Sequence, residues 1–381
     1  MKDFSTDELK SIYTKRKAAL TEYMVESNIC ATVFIDNEEH RDASINYLTG
    51  YASDAVLIIF TDGFTILIPW DENLAKNNCI YDKLIPFTRY KNDTILAVKN
   101  VLNIGYIHGI NSKVELPPYL TYPNYLHFID ELHNYDCKCS ENGSHKIIEQ
   151  KRMIKDEYEI ECIKEAASIG DLIIDEIEEK VKSNEIKTEI DVALLIERRC
   201  REYGAEKTGF DTLAAGPSRS FAIHAFPGYT NAEWPSDGLS ILDFGVVYKG
   251  YTSDTTLTIA KGELSPEQEK LLSLVQNAYD EGLKYYIKDK TISDAAKHVD
   301  SIFAKAKRKM PHSLGHAIGL NIHEAPRVSP KTSYMTFQQN MVLTLEPGLY
   351  DPALGGCRLE NDILITNEGN EVLSHSRIIR V

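Results

Sequence analysis

Two carboxylates in the second half of the chain lie where metal chemistry is possible. Apolar, β-rich segments flank Tyr248-Lys249-Gly250, and they carry Asp243 and Asp254. If these segments pair as a hairpin about that turn, the two aspartates lie nearly opposite each other, with side-chain roots about 5 Å apart. A divalent cation would remove the repulsion between them, whereas the simpler alternative is a solvated hairpin tip.

A glycine-containing segment of twelve residues carries three histidines, His312, His316 and His323. Histidine is a common metal ligand and carries protons near neutral pH. The glycines beside His316, Gly315 and Gly319, would let the backbone approach a ligand closely. A single histidine is usually structural, but this density in a chain of eleven histidines favours a functional site.

Two further carboxylates, Glu346 and Glu360, follow or interrupt apolar, strand-like segments. A buried carboxylate is costly unless it is paired or bound to metal, and Arg358 offers the pairing alternative. Together the candidates form an oxygen-rich set with one imidazole, which suits Mn²⁺, Co²⁺ or Zn²⁺. Four carboxylates exceed the needs of one ion, so the set predicts two ions roughly 3.5 Å apart with bridging carboxylates.

The elements that must position these residues are predicted from hydrophobic periodicity. Asp156 and Glu159 form a capping-box pattern that opens a long helix. Further helices are predicted over 190–203, 266–287 and 293–309, with strands over 239–247, 251–260, 341–346 and 357–366. The second half is therefore predicted to be α+β, with an antiparallel sheet.

The first half is predicted to be a small α/β domain. Helical periodicity covers residues 6–28, and a short buried strand follows at residues 31–35. The apolar segments 55–60 and 64–69 flank Asp62-Gly63, which is a strong hairpin signal. The polar segment 137–145 is the predicted linker.

Composition excludes several classes of protein. The chain has 381 residues, with 42 basic and 57 acidic residues, so its formal net charge is −15. This acid excess argues against nucleic acid and against an anionic membrane surface as partners. The N-terminal residues show no secretory signal, and residues 55–70 are too short and interrupted to span a bilayer. Seven scattered cysteines without a CxxC pair fit a reducing, cytoplasmic compartment.

The candidate ligands and their surroundings resemble metallopeptidase family M24, whose fold is called pita-bread. The motifs are LDFG at Asp243, YTSD at Asp254, GHAIGL at His316, LEPG at Glu346 and RLEND at Glu360. Upstream, residues 41–51 resemble the creatinase-type N-terminal domain, and residues 151–160 resemble the first helix of the catalytic domain. The resemblance implies an α+β chain of two domains: a small α/β creatinase-type domain over 1–145, and a catalytic domain over 146–381. The catalytic domain would have a curved antiparallel sheet with flanking helices.

The resemblance also implies a ligand set. Asp243 would hold one metal ion, His316 and Glu346 would hold the other, and Asp254 and Glu360 would bridge the two. A water or hydroxide between the ions would attack the scissile carbonyl. Glu346 would act as the general base and proton shuttle.

Substrate contacts follow from the same resemblance. His323 would stabilise the tetrahedral intermediate, and His312 would line the proline pocket. His224 would bind substrate, and Arg358 would organise the substrate and the carboxylates.

The sequence departs from the family pattern at two places. Ala225 follows His224 where the family usually has tyrosine, and His224 lies farther along the chain from Asp243 than in typical aminopeptidase P. The loop over 225–237 is therefore predicted to be reshaped and to border the substrate. Leu257 stands where many members carry a basic residue. Neither change touches a ligand, so both bear on substrate choice rather than on hydrolysis.

The resemblance implies hydrolysis of the Xaa-Pro bond by two divalent ions, manganese first. The substrate is either a dipeptide, as for prolidase, or the N-terminus of a longer peptide, as for aminopeptidase P; a homodimer is expected. Plain methionine aminopeptidases lack the N-terminal domain, which favours the Xaa-Pro branch. The alternatives are a creatinase-like hydrolase or lyase acting on a non-peptide small molecule, and a non-catalytic peptide-binding module. Relatives of both alternative kinds lose ligands, whereas all five are present here.

Overall fold

Separate hydrophobic cores divide the chain between Arg152 and Met153. The computed structural model describes Lys2, residues 4–104 and residues 112–381. The predicted boundary after residue 145 lies seven residues before the observed one. The reason is the helix Ser144–Arg152, which packs against the first helix of the chain and so belongs to the first unit.

The first unit is a six-stranded sheet with helices. Its helices are α1 Thr6–Glu26, α2 Ala43–Thr49, α3 Glu72–Asn78, α4 Thr94–Asn103, α5 Tyr122–Glu131 and α6 Ser144–Arg152. Its strands are β1 Ile29–Asp36, β2 Ala55–Phe60, β3 Thr65–Pro69, β4 Lys83–Leu84, β5 Ser112–Leu116 and β6 Tyr135–Cys139. They follow the order β4-β3-β2-β1-β5-β6.

Local signals in the first unit were partly correct. The hairpin around Asp62-Gly63 is present, with Ala55 opposite Pro69 and Leu57 opposite Leu67. The linker prediction is wrong, because Cys137 and Cys139 lie in β6, which pairs in parallel with β5 at the sheet edge. A polar edge strand and a linker look alike in sequence, since solvent reaches both.

The second unit, Met153–Val381, packs four helices against several sheets. The helices are α7 Glu157–Lys182, α8 Glu189–Glu202, α9 Pro266–Leu283 and α10 Ile292–Lys305. The strands are β7 Lys207–Thr208, β8 Leu213–Ala215, β9 Gly238–Phe244, β10 Val246–Tyr248, β11 Tyr251–Thr252, β12 Thr255–Lys261, β13 Gly315–Ala317, β14 Glu324–Val328, β15 Val342–Leu345, β16 Gly348–Asp351, β17 Gly355–Arg358, β18 Asn361–Ile365, β19 Asn370–Val372 and β20 Ile378–Arg380. The capping box of Asp156 and Glu159 opens α7 as predicted.

Two sheets carry the chemistry of the second unit, in the orders β20-β12-β9-β8 and β14-β13-β15-β18-β19. Their pairings are antiparallel as predicted, except that β12 and β20 run parallel. One core lies between α7, α8 and the first sheet, and another between α9, α10 and the second. The helices α9 and α10 cover one side of the second sheet, and α7 packs against part of its other side.

Leu257 lies in the core between α7, α8 and the first sheet, with no exposed surface. The prediction that it bears on substrate choice is therefore not supported. Successive strand residues face opposite sides, so Leu257 points away from the site while its neighbour Thr256 contacts Glu360.

None of the helices in the described part of the chain is both long enough and apolar enough to cross a bilayer.

Candidate active site

The hairpin of β9–β12 places the two aspartates on one face, but not opposite each other. Asp243 pairs with Thr256, and Val247 pairs with Thr252, so Asp254 is offset by two residues from the position facing Asp243. The turn consists of Lys249 and Gly250 alone, both with positive φ, as two-residue hairpin turns require. The predicted three-residue turn gave the wrong register, but an offset of two residues keeps both carboxylates on the same side.

His316 enters the cluster from β13 in the tautomer that a metal ligand needs. Its Nδ1 lies 3.2 Å from the carbonyl oxygen of Ala317, which can only accept, so Nδ1 carries the proton. The free Nε2 lies 3.5 Å from Asp254 Oδ2 and 3.6 Å from Glu346 Oε1. A hydrogen bond at the far nitrogen is how proteins orient a histidine toward a metal.

The donor set fits a divalent cation. Asp254, His316 and Glu360 each offer a ligand atom, and these atoms lie within 4.8 Å of one another. Asp243 adds a buried Oδ1 that has no hydrogen-bond partner within the described residues. Buried polar atoms in proteins almost always have a hydrogen-bond partner. An unpaired carboxylate oxygen beside three other ligand atoms therefore indicates a metal-binding site.

Charge repulsion among the buried carboxylates also indicates a site for a divalent cation. Burial, together with the charge of Glu360, raises the pKa of Asp254 and of Glu346 well above their ordinary values. Burial and the charge of Asp243 likewise raise the pKa of Glu360. A divalent ion would reverse this effect and allow all the carboxylates to ionise together.

Arg358 is buried and holds the edge of the cluster. Its Nη2 donates to Asp243 Oδ2, and its Nε donates to Thr256 Oγ1 at 2.9 Å. Thr256 in turn donates to Glu360 Oε2 at 2.6 Å. The pairing alternative for Arg358 is therefore present, but it occupies one oxygen of Asp243 and leaves the other for a cation.

His312 is held neutral with both ring nitrogens engaged. Its Nδ1 donates to the carbonyl oxygen of Ser313 at 2.8 Å, and its Nε2 accepts from the Tyr350 hydroxyl at 2.9 Å. That hydroxyl accepts from Arg358 Nη1 at 2.9 Å. Burial and then the charge of Arg358 lower the pKa of His312 to about 4. The ring can therefore offer a substrate its face and carbon edge, but no free hydrogen-bonding nitrogen.

One cavity of about 590 Å³ gathers every residue predicted for the site. His224 and His323 are the more exposed members, while Asp243, Asp254, Arg358 and Glu360 are buried. The predicted residues that line this cavity are His224, Asp243, Asp254, His312, His316, His323, Glu346, Arg358 and Glu360.

Several lining residues were missed by sequence reasoning, above all Arg327. Its guanidinium forms no ion pair with any residue that the structure describes, and its charge joins burial in lowering the pKa of His323. An even spacing along an extended segment puts residues on one face, so the spacing from His323 to Arg327 was an available signal. Asp362 was also missed; its Oδ2 accepts from the Asp254 amide at 3.1 Å and so orients that residue.

The loop over 225–237 borders the cavity as predicted. Ala225, Phe226 and Gly228 line it, and the Phe226 side chain is 97% exposed at its mouth. A large aromatic ring held in water beside a polar site is available to an incoming ligand.

Comparison with known proteins identifies the family. Residues 161–367 match the model of metallopeptidase family M24, and this segment contains all five candidate ligands. An uncharacterised peptidase of Staphylococcus aureus (strain USA300) is 37% identical over 231 residues, which are 60% of this chain. The match spans 64% of the length of that relative.

Solved structures show the same two-domain α+β fold. A Xaa-Pro dipeptidase from Bacillus anthracis superposes with a TM-score of 0.82 at 27% identity, covering 97% of this chain and all of that chain. An X-Pro aminopeptidase from Thermotoga maritima superposes with a TM-score of 0.80 at 26% identity, covering 93% of this chain and 98% of that chain. The cluster of carboxylates and histidine, the family model and the fold agree, and the chain belongs to metallopeptidase family M24.

Proposed function

We propose that this chain hydrolyses the Xaa-Pro bond of short peptides with two divalent metal ions. The ions would be held by Asp243, Asp254, His316, Glu346 and Glu360. The observation that carries the proposal is the convergence of these five side chains in one cavity, with Asp243 Oδ1 left unpaired. The Xaa-Pro preference is supported by the names of the solved relatives, one a dipeptidase and one an aminopeptidase.

The chemistry divides between the ions and the chain. Bound divalent ions supply an activated water and polarise the scissile carbonyl. Glu346 receives the proton of the attacking water, because its carboxylate lines the cavity and is ionised when the divalent ions are bound. His323, whose ring centroid lies 4.3 Å from that of His316, donates to the carbonyl oxygen as negative charge develops there. Arg358 positions Asp243 and, through Thr256, Glu360.

Arg327 supports a dipeptide as the better substrate. A guanidinium without an ion pair on the wall of an acid-rich cavity is suited to a carboxylate. The C-terminal carboxylate of an Xaa-Pro dipeptide lies one residue from the scissile bond, whereas a longer peptide places an uncharged amide there. We therefore assign Arg327 to the free carboxylate of proline.

The test compares Ala-Pro with Ala-Pro-Ala, using metal-stripped protein to which Mn²⁺ is returned. Both substrates should be inert without metal, and Ala-Pro should be cleaved faster with it. Arg327→Gln should lower kcat/KM for Ala-Pro by about 10- to 100-fold, as expected for losing a hydrogen bond to a charged group, and should leave Ala-Pro-Ala nearly unchanged. Arg380→Gln, an exposed arginine of β20 paired with Glu269, is the matched control.

Two results would contradict this proposal. Cleavage of Ala-Pro by stripped protein would refute the metal requirement. Equal losses on both substrates in Arg327→Gln would refute the assignment of that arginine to the free carboxylate of proline.

Manganese as the native ion, a homodimer and a cytoplasmic location complete the proposal. The oxygen-rich donor set supports manganese among the divalent ions. The dimer follows from the family resemblance, with twofold symmetry as the default for a homodimer. The scattered cysteines support a reducing compartment.

A further inference from the structure

We propose that Glu189 is a positioning residue that presents His224 to the substrate. It does so by clamping residues 216–230, named here the His224 loop, to the start of α8. This inference rests on the proposed function, because it concerns how a substrate-binding histidine of that reaction is held.

Glu189 joins the two ends of the His224 loop. Its side chain has no exposed surface and follows the N-cap residue Thr188. Its Oε1 accepts from the Gly216 amide at 2.9 Å, while its Oε2 accepts from the Thr230 amide at 2.7 Å and from the Thr230 hydroxyl at 2.6 Å. One buried carboxylate thereby fixes positions fourteen residues apart.

Arg219 ties the interior of the loop to the same carboxylate. Its Nη1 donates to Glu189 Oε2, and its Nη2 donates to the carbonyl oxygen of Pro227. A buried charge is tolerated only when it is paired and its remaining acceptor sites are used, and here every donor comes from the loop. The clamp therefore stabilises the loop itself rather than a distant part of the core.

The part of the loop next to His224 is fixed by a separate contact. The carbonyl oxygen of Ile223, directly before His224, accepts from Arg358 Nη1 at 3.0 Å. His224 is thus held between Arg358, which also contacts Asp243, and the Glu189 clamp. The tip between these anchors stays in water, since Phe226 is 97% exposed.

The reason for such a clamp is entropic. Ordering one loop residue costs about 1–2 kcal/mol, and a loop that is not ordered beforehand must be ordered when the substrate binds. Displacing a histidine of the active site by about 1 Å can lower the reaction rate about 100-fold. Losing the clamp should therefore act through His224, and should leave the five candidate metal ligands unaffected.

The decisive experiment is a double-mutant cycle of Glu189→Gln and His224→Ala, measured with Ala-Pro and Mn²⁺. Glutamine keeps the shape and one acceptor oxygen, but its amide nitrogen cannot accept from Thr230 or pair with Arg219. Glu189→Gln alone should lower kcat/KM by about 10- to 100-fold, with unchanged manganese content and faster amide hydrogen exchange within 216–230. In the His224→Ala background the same change should cost less than about twofold, because coupled residues are not additive.

An equal loss of kcat/KM in both backgrounds would overturn the inference, because a purely structural role is additive. A loss of manganese from Glu189→Gln would also overturn it. Glu202→Gln, an exposed residue of the last turn of α8, is the control and should change nothing. If Glu189→Gln does not fold, Thr230→Val removes one donor and should show a smaller loss with the same non-additivity.

A wild-type protein that does not cleave Ala-Pro would count against the proposed function, not the clamp. Hydrogen exchange then decides the inference: faster exchange confined to 216–230 in Glu189→Gln supports the clamp, and unchanged exchange refutes it.

Discussion

At the scale of single residues, the site follows from the cost of burying charge. Burial and neighbouring carboxylates raise the pKa of Asp254, Glu346 and Glu360, and His316 turns its Nε2 toward Asp254 and Glu346. Such an arrangement is unfavourable without a cation and favourable with one. The residue types alone therefore pointed to metal chemistry.

His323 offers a prediction at this scale. Its ring lies 4.3 Å, centroid to centroid, from that of His316 but on the exposed wall of the cavity, so it is assigned to the substrate rather than to metal. His323→Ala should lower kcat for Ala-Pro by about 100-fold or more, within the range for a lost proton donor, with little change in manganese content. Loss of manganese on dialysis of this variant, measured by atomic absorption, would show that His323 is a ligand instead.

Residues that lie in a motif were singled out from the sequence, whereas residues whose place depends on geometry alone were not. All five candidate ligands and the four substrate residues line one cavity. Arg327 and Glu189 were missed because their importance comes from what stands near them in space. Leu257 was flagged for its type, although strand alternation turns it into the core.

At the scale of elements, the site depends on close approach of the strands that carry it. Gly315 precedes His316 on β13, and a Cβ there would lie deep inside the van der Waals radius of the Thr344 carbonyl oxygen. Thr344, on the neighbouring β15, also accepts from the His316 amide through its Oγ1 at 3.2 Å. A side chain at 315 would push apart the strands that bring His316 to Glu346.

Gly315→Ala should therefore lower the free energy of unfolding by roughly 1–3 kcal/mol, the usual cost of overpacking, and should weaken manganese binding. Gly170→Ala is the matched control, because its nearest atom, Val246 Cγ2, lies 4.0 Å from the new Cβ. Alanine within α7 should raise stability by about 0.5–1 kcal/mol. Urea unfolding of both variants checks this contrast, and a neutral Gly315→Ala would contradict it.

Elements were predicted more reliably than their registers and borders. The β9–β12 hairpin was expected, but its turn has two residues rather than three, which shifts the pairing by one residue and leaves Asp254 two positions from the residue that faces Asp243. The 137–145 segment resembles a linker in sequence, although strand pairing with β5 includes part of it. Periodicity reports burial, and it does not report which neighbour pairs with an edge strand.

At the scale of the whole molecule, the formal charge of −15 is partly a property of the site. Five acidic residues line the cavity, and four of them are candidate metal ligands. Two divalent ions would add four positive charges and bring the loaded chain to −11. The formal count therefore describes the chain without metal, and the remaining excess accords with an exterior that does not attract nucleic acid.

The first unit has its own buried charge, at Asp42. This carboxylate accepts from the Ser44 amide at 2.8 Å and from the Tyr119 hydroxyl at 2.9 Å, and it lies 3.1 Å from His145 Nε2. Burial alone would raise its pKa, but His145 and Ser44 outweigh burial and lower it. A group with a lowered pKa stabilises the fold above its unfolded pKa of about 3.9, and this contribution is lost as the pH falls through the folded value.

Asp42→Asn keeps a good N-cap for α2 but removes the charge. It should lower the unfolding free energy by roughly 1–3 kcal/mol at pH 7, and the difference from wild type should narrow below about pH 4. Urea unfolding at about pH 7 and pH 3.5 measures this difference. A difference that does not change with pH would mean that the charge of Asp42 contributes nothing to the stability of the first unit.

The most direct test of the central claim is manganese binding and Ala-Pro hydrolysis, measured together in metal-stripped wild type and Asp254→Ala. Wild type should bind two Mn²⁺ per chain and regain hydrolysis as the ions are added. Asp254→Ala should remain folded by circular dichroism and show no hydrolysis. It should bind manganese at least about 100-fold more weakly, because removing a ligand costs more affinity than removing a residue that hydrogen-bonds a ligand. Hydrolysis by Asp254→Ala at the wild-type rate, or by wild type without metal, would contradict the account.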